Sequence, residues 1–137
     1  MQVLLIVTLA LHVLTGVFWA GTTFTLALTV GAHAERLFRS QMGAAVVVVL
    51  TGGLLWHLAH QGVFGTAEQL LAVGALCAIV AAGVQGMSTG PALRKRAIGG
   101  EAEQPSLRAR IATGQRVAAG LLTITIICMA AARYANQ

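Results

Sequence analysis

Four apolar runs, each about as long as a bilayer crossing and each closed by a short polar stretch, constrain this chain more than any other feature. A helix needs about 20 mostly apolar residues to cross the hydrocarbon core, and a helix satisfies its own backbone hydrogen bonds there. The runs cover about 3–30, 42–59, 68–89 and 111–132. The predicted fold is therefore all-α: one integral membrane domain, an antiparallel four-helix bundle whose short loops join neighbours. Composition agrees, with 57% of the 137 residues hydrophobic and 9% charged, against about a quarter charged in a soluble domain. No soluble domain fits beside four spans.

Local signals set the expected ends. The first span is closed by His33-Ala34-Glu35-Arg36-Leu37-Phe38-Arg39-Ser40, and the second ends at Trp56-His57-Leu58-Ala59-His60-Gln61-Gly62. Thr66 is read as the N-cap of the third, and Gly90-Pro91 as its stop, because proline has no N–H to donate. A loop is expected over 94–110, broken by Gly99-Gly100 and Pro105. Ala32-His33-Ala34 has the form of a signal cleavage site, but the apolar run before it exceeds a signal core and no Lys or Arg precedes it, so it reads as a retained helix. Cys77 and Cys128 fall inside apolar runs, where a thiol acts as a small hydrophobe.

Lys and Arg near span ends stay on the cytoplasmic side. Arg36 and Arg39 follow the first span, Arg94, Lys95, Arg96, Arg108 and Arg110 follow the third, and none follows the second. Both termini are therefore expected outside, N-out and C-out, with Arg116 snorkelling from just inside the fourth span. The net charge of +5 serves orientation and anionic headgroups rather than nucleic acid. Small residues recur in every span, including Gly16 and Ala20, Thr51 to Gly53, the series Gly74, Ala78, Ala82, Gly86 and Gly90, and Gly114 to Gly120. Such seams let helices approach, so the third span is expected at the bundle centre or against a second copy in a homodimer.

The chemistry-bearing residues are four histidines: His12, His33, His57 and His60. Heptad spacing places His12, Trp19 and His33 on one inward seam. His12 lies in the hydrocarbon, where an ionisable side chain reads as functional, as a haem axial ligand, a metal ligand or a proton-transfer group. His57 and His60, three apart on one helical face, can grip a transition metal. A cofactor between His12 and His57 has to bridge a depth mismatch of about 10 Å. His33, at the cytoplasmic end, is a solvated interfacial residue or a further ligand. Gln85 and Thr51 read as interhelical hydrogen bonders. The methionines do not cluster, and paired carboxylates for hydrolysis are absent from the spans.

Leu11-His12-Val13-Leu14 followed by Phe18-Trp19-Ala20-Gly21 resembles the first-helix pattern of CopD-like membrane domains and of HemJ-type protoporphyrinogen oxidases. Val49-Leu50-Thr51-Gly52-Gly53 resembles the Thr-Gly end of the CopD-like second-helix run, and Gly90-Pro91-Ala92-Leu93 its third-helix exit. His33-Ala34-Glu35 is similar to the end of the HemJ-type first helix. The resemblance implies haem b with His12 as axial ligand; the CopD-like side implies copper handling across the inner membrane. Where HemJ-type enzymes carry a third-helix lysine, this chain has Glu68-Gln69-Leu70-Leu71, so their oxidase activity is not carried over. The leading expectation is a bacterial inner-membrane protein that binds haem b through His12, with Trp19 on or near the ring and His57, His60 and His33 as candidate partners, serving electron transfer or haem-linked redox chemistry. A copper module using His12, His57 and His60 and a cofactor-free accessory subunit are the alternatives.

Overall fold

The computed structural model describes residues 2–59, 62 and 64–135. Helix α1 is Gln2–Leu28, α2 Ala34–Ala59, α3 Thr66–Ile98 and α4 Gln104–Ala132, and a 3-10 turn, Glu101–Glu103, leads into α4. Among the described residues there is no strand, and all four helices are long and apolar enough to cross a membrane. The chain is an all-α four-helix bundle of multi-pass membrane type.

Contacts running in opposite directions along sequential helices make the bundle antiparallel. His12 meets Thr51 while Thr23 meets Gln41, and Gly74 meets Thr125 while Arg96 meets Gln104. Each helix packs on its two neighbours in the cyclic order α1, α2, α3, α4, most extensively between α3 and α4. The polarity is inverted relative to a water-soluble bundle. Leu14, Leu50, Leu76 and Ile127 face outward, while Gln41, Gln85, Gln115, Thr23 and Thr89 are fully buried.

Three expected boundaries shift. The polar stretch after the first span is not a loop but the start of α2, because Ala34 is buried against Leu26, Ala92, Leu107 and Ile111 and anchors that turn in the bundle. The N-cap of α3 is Gly65 rather than Thr66, and the Glu68 carboxylate accepts the Gly65 N–H at 2.9 Å. Gly90-Pro91 does not stop α3, which runs seven residues past Pro91 to Ile98. The carbonyl that Pro91 leaves without a helical donor is that of Met87, four residues earlier. Arg110 of α4 supplies one, its guanidinium lying 3.5 Å from the Met87 carbonyl oxygen, so a neighbouring helix supports the break. The expected loop over 94–110 thereby shrinks to the region around Gly99-Gly100 and the 3-10 turn, with Pro105 in the first turn of α4, where its missing N–H costs little.

The small-residue series on α3 divides. Gly74 and Ala78 are buried, Gly74 against Cys128 and the Thr125 carbonyl of α4, whereas Gly90 faces the Phe38 ring of α2. The closest approach is at Gly114 of α4, where an added Cβ would fall 2.6 Å from the Ser88 Cβ. Gly114→Ala is therefore expected to lower the thermal midpoint in detergent by an amount equivalent to about 1–3 kcal/mol, the usual cost of overpacking. Adding Ser88→Gly should recover most of that loss.

Candidate functional site

Three glutamines from three helices meet in the middle of the bundle. Gln41 of α2 donates to Thr23 Oγ1 at 3.0 Å and to Gln115 Oε1 at 3.2 Å. Gln85 of α3 donates to the same two oxygens, at 2.8 and 3.1 Å. Gln115 of α4 donates back to Gln41 Oε1 at 3.3 Å and to Thr89 Oγ1 at 3.2 Å. From α1, the Trp19 indole N–H closes the set by donating to Gln85 Oε1 at 2.8 Å. All six amide N–H donors are thus used, and no buried side-chain nitrogen or oxygen among the described residues lacks a partner. A network of this kind, half satisfied, would be worse than an apolar core; complete, it fixes the register of all four helices.

Nearer the N-terminal end of α1, His12 leans on α2. Its Nδ1 lies 3.1 Å from the Val48 carbonyl oxygen and 3.0 Å from Thr51 Oγ1. The Thr51 hydroxyl donates to the Val47 carbonyl at 2.6 Å, so both groups facing Nδ1 accept. Nδ1 therefore carries the proton, and in the neutral ring the lone pair sits on Nε2. Gly52 makes the space, since a Cβ there would stand 3.2 Å from His12 Cε1. Nε2 has no hydrogen-bond partner among the described residues, yet no buried nitrogen is orphaned. It is therefore accessible at the bundle surface.

The remaining candidates do not converge on His12. Trp19 is 1% exposed and packed among Ala44, Ala45, Val48, Ala78, Ala81, Ala118 and Leu122, so both ring faces belong to the core rather than to a cofactor. His33 is not on the His12–Trp19 seam: α1 ends at Leu28, and His33 stands exposed in the following turn with φ of 63°. His57 is exposed at the far end of α2, six residues beyond Thr51 and so about 9 Å further along the axis from His12. His60 lies outside the described residues. Trp56 and Phe64 meet at that end with ring centroids 6.3 Å apart. Among the described residues no three His, Cys, Asp or Glu side chains gather as a metal site requires.

Gln85 and Thr51 are the interhelical hydrogen bonders expected. Gln41, Gln115, Thr23 and Thr89 complete the layer; an amide beside small residues at membrane depth is itself a signal, because such a group needs a partner from another helix. Gln41 lay in the supposed loop margin, and Gln115 was hidden by its exposed neighbour Arg116.

Gln115→Leu is expected to leave Gln41, Gln85 and Thr89 each short of a partner and to cost on the order of 3 kcal/mol, given about 1–3 kcal/mol per orphaned buried group. Thermal or denaturant unfolding in detergent measures it. Because Gln41 and Gln115 exchange two hydrogen bonds, Gln41→Leu should cost less in the Gln115→Leu background than alone. No protein-family model, curated protein or solved structure matches the chain.

Proposed function

We propose that this chain is a small haem-b-binding protein of the bacterial inner membrane, serving electron transfer or haem-linked redox chemistry, with His12 as axial ligand. The observation that supports the reading is the state of His12: a ring fixed through Nδ1–H to Val48 and Thr51, with an accessible Nε2 that has no hydrogen-bond partner among the described residues. A ligand histidine is ordinarily held in this way, its second nitrogen donating to a carbonyl or other acceptor that sets tautomer and orientation. The donor chemistry fits one axial position. The bundle interior does not fit a tetrapyrrole, since Trp19 and the alanines around it leave no room there, so the group would lie outside the core, where Nε2 is accessible.

When bound, haem b supplies a one-electron couple. The chain's own contribution is positional. Thr51 and Val48 hold the imidazole, Gly52 gives it space, and the glutamine layer keeps α1 and α2 in register beneath it. Among the described residues one chain would hold the group through His12, as His57 stands about 9 Å further along α2. The resemblance to CopD-like and HemJ-type domains supports the same residue. The competing reading, a cofactor-free accessory subunit, draws on the Trp19–glutamine network, whose buried amides and indole all find partners among the described residues without a ligand. The copper reading draws on His12 and on the exposed His57 at the end of α2.

The optical spectrum of the protein, purified in detergent from haem-replete cells, tests these readings. A Soret band is expected that is lost in His12→Ala and kept in Trp19→Phe and His57→Ala. A colourless protein, or a band that survives His12→Ala, sinks the haem reading; a colourless protein that retains copper through His12 supports the copper module, and one with neither supports the accessory subunit.

The same reading includes an N-out, C-out topology, because all basic residues except Arg116 and Arg133 belong to the end where α1 passes into α2 and α3 into α4. An alkaline phosphatase fused after residue 137 is expected to be active, and a fluorescent protein fused there dark; the reverse pattern rejects the orientation.

A further inference from the structure

The α1–α2 turn, the start of α2 and the adjoining ends of α3 and α4 line an open cavity of about 550 Å³ at the basic end of the bundle. Three arginines line it, Arg36, Arg96 and Arg108, together with His33, Glu35 and residues 29–32. With one carboxylate against three guanidinium groups, the cavity carries a net positive charge. Its size lies within the ~300–1,000 Å³ of small-molecule sites and far exceeds what a bare ion fills.

Arg96 is held in place. Its side chain is 15% exposed, its Nε donates to Gln104 Oε1 at 2.9 Å, and one terminal nitrogen lies 3.4 Å from Glu35 Oε1. A guanidinium has five N–H donors, so these two contacts orient the fork and leave the others for a ligand. Arg36 and Arg108 are exposed and make no side-chain hydrogen bond or ion pair to a described residue. The opposite wall is a turn in which Val30, Gly31 and His33 have φ of 52°, 71° and 63°. A β-branched residue in the left-handed region is a genuine outlier, and such strain persists where surrounding structure enforces it, characteristically at ligand sites. The Gly31 N–H is bonded to the Leu26 carbonyl at 2.8 Å, which locks the wall at the end of α1.

We propose that this cavity binds a phosphate ester, its phosphate oxygens taken by Arg36, Arg96 and Arg108. Guanidinium forks match phosphate oxygens in charge and geometry, and Glu35 serves to orient Arg96 rather than to neutralise the site. The site lies at the far end of α1 from His12, and nothing in its chemistry depends on haem. At the membrane boundary the ester is either the headgroup of an anionic phospholipid or a soluble phosphate ester.

Two measurements on the full chain in maltoside detergent, at matched sodium chloride, separate these sources. Calorimetric titration with glycerol 3-phosphate reads soluble binding, and native mass spectrometry with phosphatidylglycerol against phosphatidylcholine reads headgroup binding. Saturable one-to-one binding is expected in at least one arm, weakened about tenfold or more in Arg36→Gln/Arg108→Gln, as for the loss of charge-assisted contacts. Binding of glycerol 3-phosphate identifies a soluble ester, and retention of phosphatidylglycerol alone identifies a headgroup. Both altered residues are exposed and without side-chain partners among the described residues, so the variant is expected to keep the melting temperature of the unaltered chain. If it does not, Arg36→Lys/Arg108→Lys, which retains charge and loses the forks, replaces it and should also bind more weakly. The proposal is overturned if neither arm saturates, or if the folded variant binds as tightly as the unaltered chain.

Discussion

In hydrocarbon a polar group that lacks a protein partner has no water to turn to, and the rest of this structure depends on how that constraint is met. The solution is a closed set: three amides from α2, α3 and α4, two threonine hydroxyls and one indole N–H, with every amide and indole N–H assigned an acceptor. Individual interhelical hydrogen bonds in membranes are modest, averaging about 0.6 kcal/mol. Their effect here lies in mutual dependence. Sliding α2, α3 or α4 by one residue rotates its glutamine out of the layer, and sliding α1 withdraws Trp19 and Thr23; either orphans groups on the other helices, so the network selects one register where the alanines around it would accept several.

The same constraint explains how a proline is carried within α3. Pro91 removes a donor from the Met87 carbonyl, and Arg110 offers one from the neighbouring helix. Two features that look unrelated in sequence, a supposed helix stop and a loop arginine, are thus parts of one interaction. Continuation of α3 to Ile98 has a further consequence. It carries Arg94, Lys95 and Arg96 outward on a rigid helix rather than on a loop, so that Arg96 reaches Glu35 on α2 and Gln104 on α4 in a fixed place.

The architecture was legible because its cause is coarse: runs of apolar residues long enough to span a bilayer need no fine detail to be recognised. Misreadings cluster where a local rule was overridden by a partner distant in sequence. Ala34 starts a helix inside a polar stretch because Leu26 and Ile111 bury it, and Pro91 fails to end one because Arg110 is near. Heptad spacing placed His33 on the same seam as His12, but a spacing argument holds only while the helix continues, and α1 stops at Leu28. Trp19 was correctly placed inward; what spacing could not reveal is that Gln85 and a shell of alanines already occupy its surroundings. The glutamine layer itself requires three long-range pairings at once, and no single position announces that.

The two candidate sites divide along the axis according to what each end of the bundle permits. Next to His12 the surroundings are apolar, Thr51 and the Val48 carbonyl being the polar groups in reach, and a neutral imidazole with one exposed lone pair suits a ligand that is itself largely apolar. At the other end, guanidinium groups are stable because they border water and headgroups, and Arg96 keeps part of its fork free only because Gln104 and Glu35 hold the remainder. Between them the glutamine layer is the rigid element. It couples α1, which carries His12, to α3 and α4, which carry Arg96 and Arg108, so the ends share one frame while their ligand chemistries stay separate.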